Sequence, residues 1–479
     1  MVVTHEVEVN HVHYDSRKVG RNDMFVAIRG TGVDGNSYVT QAVSNGVKVV
    51  VTDNDAAMHD SFFMHNGVVK IVVPDSRVAL AQISANYYGN PTRVLSMVGV
   101  TGTNGKTTSS FIIKSLMETK EKTGLIGTIE YQIGNEQLPA THTTPESLEL
   151  QELFARMVRE GCSSCVMEVS SHALHQHRVQ GIEFQAAVFT NLTQDHLDYH
   201  KTMEEYYQAK KILFDSLPKS STAIINIDDE WGRKLYQTVA SRKLSFGISP
   251  DAEIRASNIS LSVSGTSFML EFADISMTIQ TPVVGRFNVY NVLASIGAGY
   301  VLGISFEEMQ KQFQTIHPVP GRFEQIQSPA GWTAIIDYAH TPDALEKALK
   351  AIHDVSGQNR KGRIITVFGC GGNRDITKRP KMARIASELS DVVIVTSDNP
   401  RNEEPEIIID QIMEGILPNK EIIREADRSG AISIALHLAR EHDIVLIAGK
   451  GHEDYQIIRD RKLPFSDKQH VQEYINRNS

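Results

Sequence analysis

The chain has little cysteine, no excess of basic charge and no long apolar run, and each shortage closes off a class of function. Three cysteines in 479 residues, Cys162, Cys165 and Cys370, cannot build a disulfide framework and suit a reducing compartment. Cys162 and Cys165 have CxxC spacing, but neither thioredoxin-like flanks nor two further nearby ligands accompany them. They read as ordinary thiols at a helix-to-strand junction. Lys and Arg number 48 against 57 Asp and Glu, a formal net charge of −9, with no long basic run. A general nucleic-acid binder carries the opposite balance, so no nucleic-acid partner is expected. An anionic small substrate stays compatible, because a local basic pocket can sit in an acidic protein. No uninterrupted apolar stretch reaches the ~18 residues of a membrane span, and MVVTHEVEVNHVHYDSR lacks the basic-then-apolar order of a signal peptide. The expectation is a soluble cytoplasmic protein without membrane insertion, acting as a monomer.

What is present is a rhythm of short β-branched runs between helix-like stretches. Examples are 94–100, 165–169, 187–192, 223–227, 334–337, 364–369, 392–397 and 445–449. Continuous apolar strands alternating with amphipathic helices indicate an α/β fold with parallel sheets covered on both faces. The segments that follow these strands read GTNGKTT, SSHALHQHR, TQDHLDYH, AHTPDAL, CGGNRD, DNPR and KGHED. Ligands bind beyond the carboxyl ends of strands in such sheets, so these segments are expected to line one active site. The length exceeds a single core, and about 150 residues per domain gives roughly three domains. Turn-rich 87–94 and proline-bearing 316–324 suggest boundaries, giving domains 1–92, 93–318 and 319–479. The alternation over 253–284 reads as an antiparallel hairpin inside the middle domain.

Residues 98–108, VGVTGTNGKTT, follow a strand and open a helix expected over 109–117. Glycines let backbone N–H groups curl round a phosphate, and the helix N-terminus adds a favourable dipole. Lys106 would reach the β- and γ-phosphates and the Thr107 hydroxyl would ligate Mg²⁺. The common G-x-x-x-x-G-K-[ST] spacing is not met, because position 100 is valine and glycines fall at 99, 102 and 105. The loop is a narrower variant, and nucleotide binding is expected of it.

GTNGKTT resembles the ATP loop of the Mur ligase family and its folylpolyglutamate synthetase relatives. Further motifs stand in the family order along nearly the whole chain: DSR (15–17), HTTPE (142–146), MEVSSHALHQHR (167–178), TNLTQDHLDYH (190–200), AKKILF (209–214) and GRFNVYN (285–291). PGRFE (320–324), DYAHTPDAL (337–345), GCGGNRD with KRP, DNPR (398–401) and GKGHEDYQ (449–456) complete the set. They narrow the resemblance to Mur ligases that add the third residue of the cell-wall stem peptide. One departure is the start, where fourteen residues precede Asp15 and the family usually places more. The resemblance implies three domains: an N-terminal UDP-sugar-binding domain, a central P-loop ATPase-like parallel sheet and a Rossmann-like C-terminal domain. It implies an ATP-dependent ligase in which a carboxylate of UDP-MurNAc-L-Ala-D-Glu is phosphorylated and an incoming amine displaces phosphate.

For this chain the resemblance implies an ATP site from Thr101, Gly102, Thr103, Asn104, Gly105, Lys106, Thr107 and Thr108, with Asn288, Asn291, Arg322 and Asp337 at base, ribose or phosphate. Asn288 and Asn291 could instead buttress the next helix. ATP is the co-substrate, and Mg²⁺, in two sites, would be held by Thr107, Glu168, His196 and a carbamylated Lys210 (N6-carboxylysine). Glu168 ends an apolar strand, where a carboxylate is costly unless it meets a cation. Only an amine with a neutral population takes up CO₂, and burial of Lys210 would supply it; Lys211 reads as a solvated helix residue. A zinc reading of the His196/His200 spacing lacks an HExxH motif, and His175, His177 and His200 suit polar or hydrogen-bonding roles.

The UDP-sugar dipeptide is assigned Ser16, Thr31, Gly32, Val33, Thr143, Thr144, Ser170, Gln176 and Arg178. The amino-acid pocket is assigned Arg374, Asp398, Asn399, Pro400, Arg401, Gly449 and Glu453. Arg401 is the selective feature, since meso-diaminopimelate ends in a second carboxylate that a guanidinium grips in a bidentate pair. Lysine would leave that guanidinium unpaired, a cost on the order of 3 kcal/mol. The bland alternative for Arg401 is a surface ion pair with Glu403 or Glu404. Competing functions are the same reaction with L-lysine, a folylpolyglutamate synthetase, and a nucleotide-regulated ATPase switch that makes no bond.

Overall fold

A computed structural model describes residues 7–30, 32–262, 264–357, 360–418 and 420–478, with the side chain of Ala57 left aside. Thr31 therefore lies outside the described residues. The chain divides into two compact units, residues 1–97 with 121–185, and residues 98–120 with 186–479.

The first unit carries a four-stranded sheet, Val12–His13, Met24–Ala27, Val49–Thr52 and Val69–Val72, all parallel. Successive side chains of a strand point to opposite faces. Phe25, Ala27 and Val50 accordingly pack with Val39 and Phe63 on one side, while Val26, Val49 and Val51 pack with Ala79 and Leu80 on the other. The same unit holds Ser164–Glu168 parallel to Thr123–Ile126, continued antiparallel by Glu130–Ile133 and Glu136–Pro139. All five residues of Ser164–Glu168 are buried. An apolar run ending in a carboxylate is thus a central strand delivering Glu168 at its tip.

In the second unit Ala186–Phe189 pairs in parallel with Ser96–Thr101 and with Thr222–Asn226, followed by Arg242–Gly247 and Ile254–Ser262. Gly265–Phe272 and Ile275–Thr281 then add antiparallel. The expected hairpin over 253–284 is therefore a three-stranded meander, its second turn carried by Ala273 at φ +50. Helix Lys106–Met117 starts three residues before the expected 109, because Gly105 at its N-cap turns the chain directly from loop to helix.

The C-terminal part of this unit has six strands in the order Glu324–Gln327, Thr333–Asp337, Ile444–Ala448, Ile364–Phe368, Val392–Val395 and Glu421–Arg424, all parallel except the first. Its strands read as unbroken apolar runs because both faces are covered. Ile335, Phe368, Val393 and Val395 meet helices Pro342–Ser356, Lys378–Leu389 and Pro405–Met413, whereas Ala334, Val367, Ile394 and Ile447 meet Arg428–Leu438. Strand Ile444–Ala448, last in sequence, inserts between the first two parallel strands. Strand order reverses there, and the loops after Asp337, Phe368, Val395 and Ala448 leave one edge as neighbours. That crevice is where a ligand fits in such sheets.

Candidate active site

The phosphate loop is dictated by steric exclusion. Gly102 and Gly105 have φ of +149 and +85, and a Cβ would lie 1.9 Å from Thr190 Oγ1 at the first and 2.3 Å from Asn291 Oδ1 at the second. Only glycine fits both positions. The opposite wall is the TNLT segment: Thr103 N–H donates to the Asn191 carbonyl at 2.9 Å and Asn104 N–H to Asn191 Oδ1 at 3.0 Å. The Asn104 carbonyl accepts from Thr190 Oγ1 at 2.6 Å. Lys106 arches over its own loop, donating to the carbonyls of Gly102 and Thr103 at 3.0 and 2.9 Å.

Lys210, on helix Met203–Asp215, is 1% exposed and donates to the Gly102 carbonyl at 2.8 Å. Its nitrogen lies 4.7 Å over the Tyr206 ring. Burial first, and the Lys106 charge second, pull its amine well below the ordinary lysine range. A neutral, nucleophilic amine is the form that adds CO₂. Next to it, Asp195 receives the N–H of His196 at 2.9 Å, and its carboxylate stands 3.4 Å from the His196 ring. Burial opposes ionisation of Asp195, but the charges of His196, His340 and Lys378 outweigh it and hold the carboxyl low. His196 itself has φ +54, a conformation that costs a non-glycine residue about 1 kcal/mol or more.

Arg322 donates to Thr107 Oγ1 at 3.0 Å and stacks 4.5 Å over the Tyr338 ring. Asp337 accepts the Phe323 N–H at 2.7 Å, and burial pushes its carboxyl up to about 6 despite Arg322. A cleft of about 170 Å³ opens beside them, lined by Val283, Asn288, Pro318, Val319, Arg322 and Phe323. Apolar walls with two amides, Asn288 and Gln325, suit a purine. Asn291 does what a buttress does, donating to Asn288 Oδ1 at 2.8 Å and accepting from Ser109 at 3.3 Å. Asn104 Nδ2 and Thr193 Oγ1 both reach Asp343 Oδ2, at 2.6 and 3.2 Å, tying the loop to helix Pro342–Ser356.

The DNPR and KGHED loops form the other end of this unit. Lys450, 0% exposed, donates to Asn399 Oδ1 at 3.1 Å and Glu453 Oε2 at 2.9 Å, and Asn399 Nδ2 donates to Glu453 Oε2 at 2.9 Å. Gly449 has no room for a side chain, since a Cβ would stand 2.6 Å from Asp398 Oδ2. Arg428 and Asp467, both buried, form a bidentate pair at 2.8 Å, and Arg428 also donates to the carbonyls of Ser397 and Ala448. Arg401, half-buried at φ +52, donates to the carbonyls of Gly372 and Asn399 at 3.0 and 3.3 Å. Burial, then the nearby Arg374 charge, disfavours its cation, while Asp398 and Glu453 support it. The surface pairing with Glu403 or Glu404 does not occur: Glu403 is gripped by Arg379 at 2.8 Å, and Glu404 stands 3.5 Å from Arg459.

In the first unit the Glu168 carboxylate is 0% exposed and accepts from both the N–H and the hydroxyl of Thr128, at 2.8 and 2.9 Å. A Cβ at Gly127 would lie 2.6 Å from Glu168 Oε1. Thr144 Oγ1 donates to the Glu168 carbonyl at 2.7 Å and accepts from Ser170 N–H at 3.0 Å; Thr143 meets Thr128 at 3.1 Å. Arg178 donates to the Thr144 carbonyl at 2.9 Å and Gln176 Oε1 at 2.7 Å. Thr143, Thr144, Ser170, Gln176 and Arg178 thus gather around Glu168. Ser16 is buried and donates to Gln41 Oε1 at 3.0 Å, and Val33 is exposed.

Three matches now bear on identity. Residues 8–88 match the Mur ligase family catalytic domain, 100–299 the Mur ligase middle domain and 321–451 the Mur ligase glutamate ligase domain. The chain belongs to the Mur ligase family. Among relatives of this Mur ligase is the UDP-N-acetylmuramoyl-L-alanyl-D-glutamate--2,6-diaminopimelate ligase of Clostridium botulinum, 45% identical over 98% of this chain and 95% of that one. The protein of the same name from Parabacteroides distasonis is 44% identical over the same shares. A solved structure of that name superposes with a TM-score of 0.69 at 31% identity, covering 98% of this chain and 95% of that one. Mycobacterium tuberculosis folylpolyglutamate synthase, at 16% identity, shares the fold over 78% of this chain and 92% of its own, with a TM-score of 0.64.

As a Mur ligase the chain is an amide-bond-forming enzyme, with an α/β fold of parallel sheets as expected. Four buried groups of this Mur ligase drew no role from sequence: Lys450, Arg379, and the pair Arg428 and Asp467. Lys450 and Arg379 lie inside the GKGHED and KRP motifs, so their position was visible and only their partners were not. Arg428 and Asp467 stand outside every motif; 39 residues apart in sequence, they carried no signal. Among the described residues there is no group of three His, Cys, Asp or Glu side chains placed to hold a metal. His200 is buried and stacked on Tyr206 with ring centroids 5.2 Å apart.

Proposed function

We propose that this chain is an ATP-dependent ligase adding meso-2,6-diaminopimelate to UDP-MurNAc-L-Ala-D-Glu, giving a UDP-MurNAc-tripeptide for peptidoglycan. A carboxylate is a poor acyl donor, so the D-glutamyl γ-carboxylate first attacks the γ-phosphorus of ATP and ADP leaves. The amine of the acceptor then adds to the acyl phosphate and expels phosphate. Positioning and neutralisation of negative charge dominate such chemistry. The 101–108 loop and Lys106 would hold the phosphates, with Arg322 beside Thr107 and the Asn288 cleft taking the base. Thr144, Ser170, Gln176 and Arg178 would hold the dipeptide nucleotide in the first unit. Residues 1–92, 93–318 and 319–479 are assigned to UDP-sugar, ATP and acceptor binding in turn.

Mg²⁺ would supply charge neutralisation at the phosphates, held by Thr107, His196 and Lys210 in the second unit and by Glu168 in the first. The residues fit that role. Burial lowers the proton affinity of the Lys210 amine, and its neutral form would add CO₂ as R–NH₂ + CO₂ → R–NHCOO⁻ + H⁺, giving a carboxylate ligand. Glu168 is a fully buried carboxylate that accepts hydrogen bonds from the N–H and hydroxyl of Thr128. Among the described residues no helix is long and apolar enough to cross a membrane.

The observation that carries the choice of acceptor is Arg401, a half-buried guanidinium bonded to backbone carbonyls while Glu403 and Glu404 are engaged with other arginines. A second carboxylate on the acceptor completes it; a bare ammonium does not. The test is ADP release on the purified dipeptide nucleotide with diaminopimelate or L-lysine as acceptor. Diaminopimelate should give the higher kcat/KM by on the order of a hundredfold. Equal values would refute the assignment.

A further inference from the structure

Arg401 is two residues from Glu403 and three from Glu404, so an arginine meant for a substrate carboxylate has two carboxylates of its own within reach. Exposed neighbours of this kind pair readily, though weakly. The fold prevents it by burying a second arginine. Arg379, 0% exposed on helix Lys378–Leu389, grips Glu403 with both terminal nitrogens, Nη1 to Oε2 at 2.8 Å and Nη2 to Oε1 at 3.0 Å. The same guanidinium donates to the Gly371 carbonyl at 3.1 Å and to Gln411 Oε1. Glu403 in turn accepts the N–H of Asn373, which has φ +52, as Arg401 does. One ion pair thus spans the GCGGNRD loop, the DNPR loop and helices Lys378–Leu389 and Pro405–Met413.

The packing leaves little slack. A Cβ at Gly372 would lie 1.9 Å from the Pro400 carbonyl and 3.3 Å from the Glu403 Cβ, and one at Gly371 would lie 2.8 Å from Arg401 Nη1. The two loops touch backbone to backbone, and the guanidinium of Arg401 crosses that contact to reach the Gly372 carbonyl. The hydrogen bond from Arg379 also holds the Glu403 carboxyl below its ordinary range, so it stays an anion and stays in the clamp.

We propose that Arg379 is a positioning residue for acceptor specificity: it sequesters Glu403, which would otherwise neutralise Arg401 and occupy the place of the acceptor's second carboxylate. The proposal rests on the reading of Arg401 as the acceptor's carboxylate site and adds a mechanism by which the chain keeps that site open. Arg379 touches no substrate. Its effect runs through Glu403, so removing the Glu403 charge should offset the loss of Arg379 in the KM for diaminopimelate specifically.

The test compares wild type, Arg379→Met, Arg379→Lys and Arg379→Met/Glu403→Gln in steady-state ADP release with diaminopimelate, lysine and ATP varied in turn. Arg379→Met should raise KM for diaminopimelate on the order of tenfold or more, with KM for ATP changed less than about twofold. The double variant should recover most of that loss, because a neutral amide does not compete for Arg401. If Arg379→Met fails to fold by its melting transition, Arg379→Lys decides. Lysine keeps the charge but not the fork, and a diaminopimelate KM raised severalfold with unchanged ATP KM supports the clamp. An unchanged diaminopimelate KM in the folded variants, a parallel rise in ATP KM, or a double variant no better than the single would overturn it. Wild type that prefers lysine would instead overturn the reading of Arg401 and leave the clamp without a purpose, so the two failures are distinguishable.

Discussion

The phosphate loop and the acceptor pocket sit in one unit and are built on opposite principles. Hydrogen bonds to the loop's backbone and two forbidden Cβ positions specify the loop, drawn from 101–108, its 190–193 wall and Asn291. The pocket is specified by side-chain charges that meet only after folding: Arg379 with Glu403, Arg428 with Asp467, Lys450 with Glu453. A backbone cradle recognises phosphate, the same group in every reaction of this chemistry. On the proposed function, a charged lattice would discriminate between acceptors differing by one carboxylate. Shape suffices for the first task, and the second needs an arginine held unpaired, which is costly and has to be enforced.

Four perturbations break or sharpen this contrast. The largest effect belongs to Lys210. Arginine there stays charged and cannot become a carbamate, so Lys210→Arg should lower kcat on the order of a thousandfold; an enzyme retaining a tenth of its rate would dismiss the carbamate. Next is Asp337, whose folded-state carboxyl lies at about 6 against an ordinary 3.8. The folded chain then binds more protons than the unfolded one between those values, so stability falls as pH rises through that window, by up to ~3 kcal/mol. Urea midpoints from pH 4 to 7 should show the slope in wild type and lose it in Asp337→Asn; identical slopes would show that another group titrates.

Arg401→Ala should raise KM for diaminopimelate on the order of a hundredfold with little change for ATP. Equal shifts for both substrates would mean that loop and pocket are not separate devices. Smallest is Gly105→Ala, which demands a positive φ of alanine and a Cβ 2.3 Å from Asn291 Oδ1. KM for ATP should rise about tenfold, with Tm down a few degrees. A normal ATP KM would show that Asn291 yields and that the cradle is softer than its geometry states.

Much of the fold was legible because the strand signal is local. Runs such as 364–369 and 445–449 became Ile364–Phe368 and Ile444–Ala448 with shifts of one residue at either end. The alternating 253–284 segment misled only in number, since alternation marks strands but not how many turns divide them. The first-unit residues Thr143, Thr144, Ser170, Gln176 and Arg178 gathered as a group because they lie on two short segments. The partners of Ser16, Gln41 and Asn45, were not legible, because they come from the end of a helix distant in sequence.

By itself the sequence determined the α/β class, the glycine loop and the identity of the groups at the strand ends, because periodicity, turn chemistry and motif spacing act over a few residues. Tertiary structure alone decided which charges are spent on each other and which stay available. Arg401 and Arg379 are both arginines near acidic residues in the chain, and only the fold buries Arg379 against Glu403 while Arg401 bonds backbone carbonyls. Electrostatic pairing depends on distance and burial in three dimensions, and neither is written in the order of residues along the chain.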